Sequence, residues 1–232
     1  MQDAARAATS ILTGLATAIV IVTAAVMPFL TPQWIAFEQE RANAPAWTGY
    51  TTEELRVATD GILSDLVFGP PDFAVEVNGA AVLSERERGH MRDVRTVFSG
   101  LWILAAVSVA VLVVASRRRD PGASWRAVRR GALTVAAAVA VIGVIALVAF
   151  DALFEQFHRV FFPGGSYTFD PATERLVQLF PFAFWQETAM VVGVAIIALA
   201  LVVAAVAGRR IAPPVREAPA RDLAPAPGSS RS

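Results

Sequence analysis

SRRRDPGASWRAVRRG, residues 116–131, sets six arginines and a single acid between two membrane-length apolar runs, and its reading decides the fold. The run before it, from Thr96 to Ser116, and the run after it, from Ala132 to Phe150, carry no charge. Two more stretches share that property, Ala7 to Leu30 and Thr188 to Gly208. Each is close to the span of about 17–25 residues that crosses a bilayer as a helix. With 55% apolar residues and a mean hydropathy of +0.52 over 232 residues, the chain is too apolar for a soluble domain. Four transmembrane helices are expected, the middle two as an antiparallel hairpin of neighbours about the arginine-rich turn. The first run exceeds the apolar core of about 7–15 residues in a secretory signal, and no small-residue cleavage site follows cleanly before Pro28, so it is expected to stay as an anchor.

The formal net charge of zero hides a separation. The N-terminus, the central turn and the tail hold twelve Arg against four acids, whereas segments 31–95 and 151–187 hold eight Arg against sixteen acids. Basic residues collect at cytoplasmic helix ends, so both termini are expected inside and the two acidic segments outside. The expected fold is a membrane α-helical protein of four transmembrane helices, N-in and C-in, with a small α+β extracytoplasmic cap. Residues 1–211 form the transmembrane domain with its cap segments 31–95 and 151–187, and residues 212–232, rich in Pro, Ala, Arg and Ser, read as a disordered cytoplasmic tail. The absence of Cys excludes disulfides and thiolate catalysis. Nothing points to nucleic acid.

Within the first cap segment, Pro28 and Pro32 end the span and Trp34 sits where an interfacial anchor is expected. Thr51 and Glu54 have capping-box spacing ahead of Leu55, Ile62, Leu63, Leu66 and Val67, which predicts an amphipathic helix over 52–67. Phe73, Val75 and Val77 alternate, Asn78-Gly79 signals a type I′ turn, and Ala80 to Leu83 return as a second strand. Ser84 and Glu87 repeat the capping box, so one helix runs from 85 to 116. The third helix is expected to pass Asp151 without a breaker and to end at Phe162, before Pro163-Gly164-Gly165. Tyr167 to Phe169 suggest a short strand, and Asp170-Pro171 a cap for an interfacial helix to Phe180.

The chain's only histidines, His90 and His158, are equidistant from Ser124 in the middle of the turn. Residues equidistant from a hairpin turn lie at one height, so both imidazoles are expected at the same membrane surface. Each lies about seven residues beyond the apolar edge of its helix, roughly 10 Å along the axis and therefore at headgroup depth. Asp93 follows His90 and Glu155 precedes His158 by three residues, a spacing that puts each carboxylate on the face of its imidazole, where it would fix a tautomer or stabilise an imidazolium. Arg86, Arg88, Arg92 and Arg95 read either as an anion cradle or as a face engaging lipid headgroups. Phe154, Phe157, Phe161 and Phe162 read either as an acyl-chain groove or as helix packing. A metal held by two histidines and carboxylates ranks below a metal-free site, because no dense ligand motif such as His-Glu-x-x-His occurs.

The stretches SERERGHMRDVRTVF (84–98) and FEQFHRVFFPGGSYTFDP (154–171), the latter followed by LVQLFPFAFW (176–185), resemble the two signature regions of the Lit family of bacterial lipoprotein intramolecular transacylases. The resemblance covers both outer segments and the four-helix layout. It implies a multi-pass enzyme of the bacterial cell membrane with an extracytoplasmic active site and no cofactor. The reaction it implies moves the sn-2 acyl chain of a diacylglyceryl lipoprotein to the α-amino group of its N-terminal cysteine, leaving a lyso-form lipoprotein. Diacylated lipoproteins and membrane lipids are the expected partners. His90 and His158, with Asp93, are the expected catalytic residues, and Met91, Arg95, Phe161, Phe162, Tyr167 and Asp170 the expected substrate contacts. Tyr167 stands where the family pattern leads one to expect Trp. The chemistry agrees: an amine attacking an ester needs a base, the departing glyceryl oxygen needs an acid, and holding both partners in one lipoprotein head supplies much of the rate. A non-enzymatic sensor, or a lipoprotein-binding accessory protein, would use the same histidines.

Overall fold

The computed structural model describes residues 2–117 and 120–211; the expected tail lies outside the described residues. Four long helices carry the apolar runs: α1 (Gln2–Val26), α5 (Glu85–Ser116), α6 (Pro121–Phe161) and α8 (Phe182–Ile211). Each is long and apolar enough to cross a membrane. At 1.5 Å per residue the 41-residue α6 is about 60 Å long, twice a hydrocarbon core of about 30 Å, so its end stands outside the span.

The cap comprises α2 (Pro32–Arg41), α3 (Ala44–Thr48), α4 (Thr52–Val67), the ribbon β1 (Glu76–Val77) and β2 (Ala80–Ala81), and α7 (Arg175–Leu179). Both capping boxes form, Thr51 with Glu54 ahead of α4 and Ser84 with Glu87 ahead of α5. In the ribbon, Glu76 pairs with Ala81 and Val77 with Ala80. Asn78 and Gly79 both have positive φ, 53° and 75°, as a type I′ turn requires. The strands are shorter than the alternation predicts, with Val82 N–H donating to the Val75 carbonyl as the last rung.

Several expectations need correction. The segment after Pro28 stays helical: a 3₁₀ turn (Met27–Leu30) leads to Thr31, which caps α2 with Pro32 in its first turn. Tyr167 to Phe169 form no strand, because the Thr168 carbonyl accepts from the Arg86 guanidinium instead of from a ladder partner. The helix expected from Asp170 to Phe180 is interrupted: Glu174 takes the Asp170 N–H at 2.6 Å, and α7 begins only at Arg175. Inside α6, Ala149 leaves helical geometry (φ −146°, ψ 42°), so α6 does not pass unbroken toward Asp151. The break precedes Phe150, whose ring packs on Phe154 and on Phe182 of α8.

The largest correction concerns the hairpin. α5 and α6 touch little along their length; α1 packs against both, and α6 packs most extensively against α8. Ser124 Oγ donates to the Ala115 carbonyl at 2.8 Å, tying α5 to α6 beside the turn. The bundle core is built of Ile21 and Ala25 of α1, Ala132 and Ala136 of α6, and Ile196, Ala200 and Ala204 of α8, whose alanines let helix backbones approach in lipid. A separate cap core joins Leu55, Ile62 and Leu66 of α4 to Phe73, Val82, Met91, Leu176 and Leu179. Because α5 begins in that core and continues into the span, cap and bundle share one rigid element.

Candidate active site

His90 rides on α5 six residues before the apolar run, and His158 on α6 eight residues after its own. Their ring centroids lie 6.3 Å apart with planes 24° from parallel. Sixty-eight positions of sequence are thus folded onto one spot beyond the charge-free runs, as equal distance from the turn implies. His90 is buried at 6% exposure, whereas His158 is half-buried.

Aromatic rings enclose the pair. Phe162 stands edge-on to His90 at 4.8 Å and lies 5.6 Å from His158, closing one side of the pair. Phe169 meets His90 at 5.4 Å, and Phe154, Tyr167 and Phe157 meet His158 at 4.2, 5.0 and 5.4 Å. Phe157, and Phe161 packed on it at 4.7 Å, leave nearly half their surface exposed. This shell makes the site apolar, which disfavours an imidazolium.

Each ring also has a defined tautomer. His158 Nδ1 lies 2.7 Å from the Phe154 carbonyl, an acceptor only, so Nδ1 carries the proton. Ser166 Oγ donates to Asp93 Oδ2 at 2.9 Å and thereby spends its one proton; at 3.3 Å from His90 Nδ1, it can only accept. His90 is therefore protonated at Nδ1 as well. Among the described residues neither Nε2 has a hydrogen-bonding partner, so both rings keep their proton-accepting nitrogen for a third party. Burial, and then the like charge of His158, push His90 down to about 4, with Asp93 opposing them. His90 is neutral at pH 7.

The two carboxylates do not act as their spacing suggests. Asp93 reaches His90 through Ser166, which local periodicity could not reveal because it lies 73 positions away. Glu155 turns from His158 to Arg159 at 2.9 Å and to the Tyr167 hydroxyl at 3.1 Å; the Arg159 hydrogen bond above all holds its carboxyl below the usual range.

A model of the family described as lipoprotein intramolecular transacylase Lit matches residues 10–185, a stretch that contains both histidines, Ser166 and the aromatic shell. The chain belongs to this family. It is accordingly a membrane enzyme of acyl transfer. The membrane-integral lipoprotein intramolecular transacylase Lit of Bacillus cereus has the same fold at a TM-score of 0.75 and 17% identity, covering 90% of this chain and 96% of that one. Two structures of that enzyme with one histidine replaced, by Arg and by Ala, match at a TM-score of 0.71 and 18% identity, each over 90% of this chain. No protein of curated function matches the sequence.

The remaining expected site residues divide into two groups. Phe162 and Tyr167 flank the imidazoles, with Phe161 one ring further out against Phe157 at 4.7 Å. Met91 is buried in the cap core. Arg95 donates to the carbonyls of Asp65 and Gly69 at the end of α4, the latter at 2.7 Å, and Asp170 caps its own turn by accepting from Ala172 N–H at 2.9 Å. The arginines of the first α5 turns fasten the cap: Arg86 to Glu174 at 2.8 Å and the Thr168 carbonyl, Arg88 to the Asp72 carbonyl at 2.6 Å, and Arg92 to Glu85 at 2.6 Å. Arg86 also lies over the Phe169 ring at 4.9 Å, so it holds the loop that carries Ser166. Among the described residues no three His, Cys, Asp or Glu side chains gather where a metal ion could be held.

Proposed function

We propose that this chain moves the sn-2 acyl group of a diacylglyceryl lipoprotein to the α-amino group of the lipoprotein's N-terminal cysteine, on the outer side of the membrane, with His90 and His158 as the proton-transferring pair. One observation carries the reading: the two imidazoles share a single aromatic-lined spot beyond the charge-free runs of their helices, each with Nε2 unengaged among the described residues. In the reaction the neutral amine attacks the ester carbonyl and a C–N bond forms. One imidazole takes the proton that the nitrogen must lose. As the tetrahedral intermediate collapses the C–O bond to the glyceryl carbon skeleton's oxygen breaks, and a proton from the pair leaves with that oxygen as a hydroxyl. The net change is ester to amide, with no water consumed. His90 enters the cycle neutral, since the site keeps it so at pH 7.

An enzyme nucleophile is unnecessary, because donor and acceptor belong to one substrate and need only be held together. The exposed faces of Phe157 and Phe161 offer an apolar wall for the migrating chain next to His158. Met91, Arg95 and Asp170 support the site through their contacts in the cap. The outward orientation rests on the arginine excess at the opposite ends of the helices.

The test is expression of the wild type, His90→Ala and His158→Ala in a bacterial strain that lacks other lipoprotein N-acylation, with mass spectrometry of N-terminal lipopeptides. Lyso-form product is expected from the wild type and its loss from each variant. Full lyso-form product from both variants would overturn the assignment of the pair.

A further inference from the structure

We infer that Ser166 is the positioning residue of the site: its hydroxyl is the hydrogen-bonded link between Asp93 and His90, and it locks His90 in the tautomer whose Nε2 accepts a proton. The inference rests on the proposed role of the histidine pair.

Three observations support it. Asp93 stands three residues from His90 on the same helix, yet its Oδ2 bonds Ser166 and not the ring. A hydroxyl has one proton, and a carboxylate cannot donate, so the direction of the chain is forced: His90 Nδ1–H to Ser166 Oγ, then Ser166 Oγ–H to Asp93. Without the hydroxyl, no other hydrogen-bonding partner for either ring nitrogen exists among the described residues, and the neutral ring would sample both tautomers. The ring with Nε2–H has no lone pair for the amine's proton. Third, the fold fixes Ser166 from outside the site. It follows Gly165, whose φ of 71° reverses the chain after Phe162, and it precedes Thr168, whose carbonyl Arg86 holds. The loop thus delivers a hydroxyl between two groups that the α5 helix alone cannot connect.

His158 has no such arrangement. Its Nδ1 proton is bound by the Phe154 carbonyl of its own helix, which no side-chain substitution removes. The two histidines therefore depend on different supports, and only one of these is open to mutation.

The chain has two histidines, so the full-length protein labelled with ¹⁵N-histidine in lipid nanodiscs gives two sets of ring signals, and His158→Gln assigns them. In the wild type the His90 nitrogens are expected as one tautomer, Nδ1 protonated. Ser166→Ala should convert this to a mixture, and Ser166→Thr, which keeps the hydroxyl, should restore it. With diacylated lipopeptide as substrate, Ser166→Ala should lower kcat about tenfold with KM unchanged, the size of one lost hydrogen bond. Asp93→Asn should cost activity in the wild-type background and little more in the Ser166→Ala background. Identical His90 spectra in wild type and Ser166→Ala would overturn the inference, as would losses from Ser166→Ala and Asp93→Asn that multiply. Full activity of His90→Ala and His158→Ala would instead sink the transacylation role of the pair, and the tautomer measurement would still decide what Ser166 does to His90.

Discussion

At the scale of single residues, the site works by making one histidine difficult to charge. Phe162, Phe169 and burial against the cap core remove water from His90, and any proton taken up by His158, 6.3 Å away, would repel a second one on His90. The folded-state value of about 4, against an ordinary 6.5, means that the unfolded chain binds the proton more readily in between. Stability conferred by neutral His90 is complete above pH 6.5, falls as the pH drops toward 4 and then levels, a change of about 3 kcal/mol. The carboxyls held low by ion pairs, such as Glu53, Glu85 and Glu155, lose their contributions only below the ordinary carboxylate range, whereas Glu38 and Asp65, raised by burial, take up protons above it and oppose the slope, so the contribution of His90 is read by comparison with its own variant. Thermal unfolding followed by Trp fluorescence is expected to show the midpoint falling from pH 6.5 to 5 in the wild type, with a flatter slope in His90→Gln. Equal slopes would show that His90 is not held neutral by the fold.

At the scale of elements, local code and long-range contact divide what could be read from the chain. Both capping boxes, the Asn78-Gly79 turn and the four spans follow from residues within a few positions of one another, and they form as the spacing predicts. α2 also had a local signal, Thr31 followed by Pro32, which resembles an end of one helix as much as the start of the next. What local patterns could not express is the second use of a side chain. Glu87 completes the α5 capping box through one oxygen at 2.7 Å from Ser84 N–H, and its other oxygen accepts from Leu176 N–H, 89 positions on, at 2.6 Å. That bond starts α7 and explains why the helix expected from Asp170 begins late. The same holds at the site: the histidines were legible from symmetry, whereas Ser166 was not, because its meaning depends on Asp93 across the fold. Glu87→Ala leaves the buried Leu176 N–H without a partner, at a cost of about 1–3 kcal/mol, and removes the capping bond to the more exposed Ser84 N–H, worth about 1 kcal/mol more. Unfolding in the variant is expected at a clearly lower temperature, with amide exchange fastest at Leu176 and its neighbours. Unchanged protection there would show that Glu87 serves only its own helix.

At the scale of the whole molecule, the histidines converge although their helices are not close partners, and α1 is the reason. It packs against both α5 and α6, so it holds the two histidine-bearing helices in one bundle. The contact is tightest where Gly14 of α1 crosses Gly131 of α6: a methyl group added at Gly131 would overlap the Gly14 carbonyl oxygen, and one added at Gly14 would rest 3.6 Å from the Gly131 Cα. Twelve positions on, Gly143 lies in the same helix with open space where its side chain would be. Glycine to alanine in a helix interior brings the same backbone gain at both positions, about 1 kcal/mol. Only Gly131 adds a collision with backbone, which cannot rotate away and costs about 1–3 kcal/mol or more as overpacking. Gly143→Ala is therefore expected to leave the unfolding midpoint level or raise it, and Gly131→Ala to lower it. Gly131 lies 27 positions from His158, about 40 Å along α6, with the Ala149 break between them. Acyl transfer per folded molecule should consequently fall much less than stability, because the outer end of α6 is seated against α8 by Phe150, Phe154 and Phe182. If Gly131→Ala proved as benign as Gly143→Ala, close passage of α1 and α6 would not be what spaces the bundle, and convergence of the two imidazoles would have to come from the cap alone.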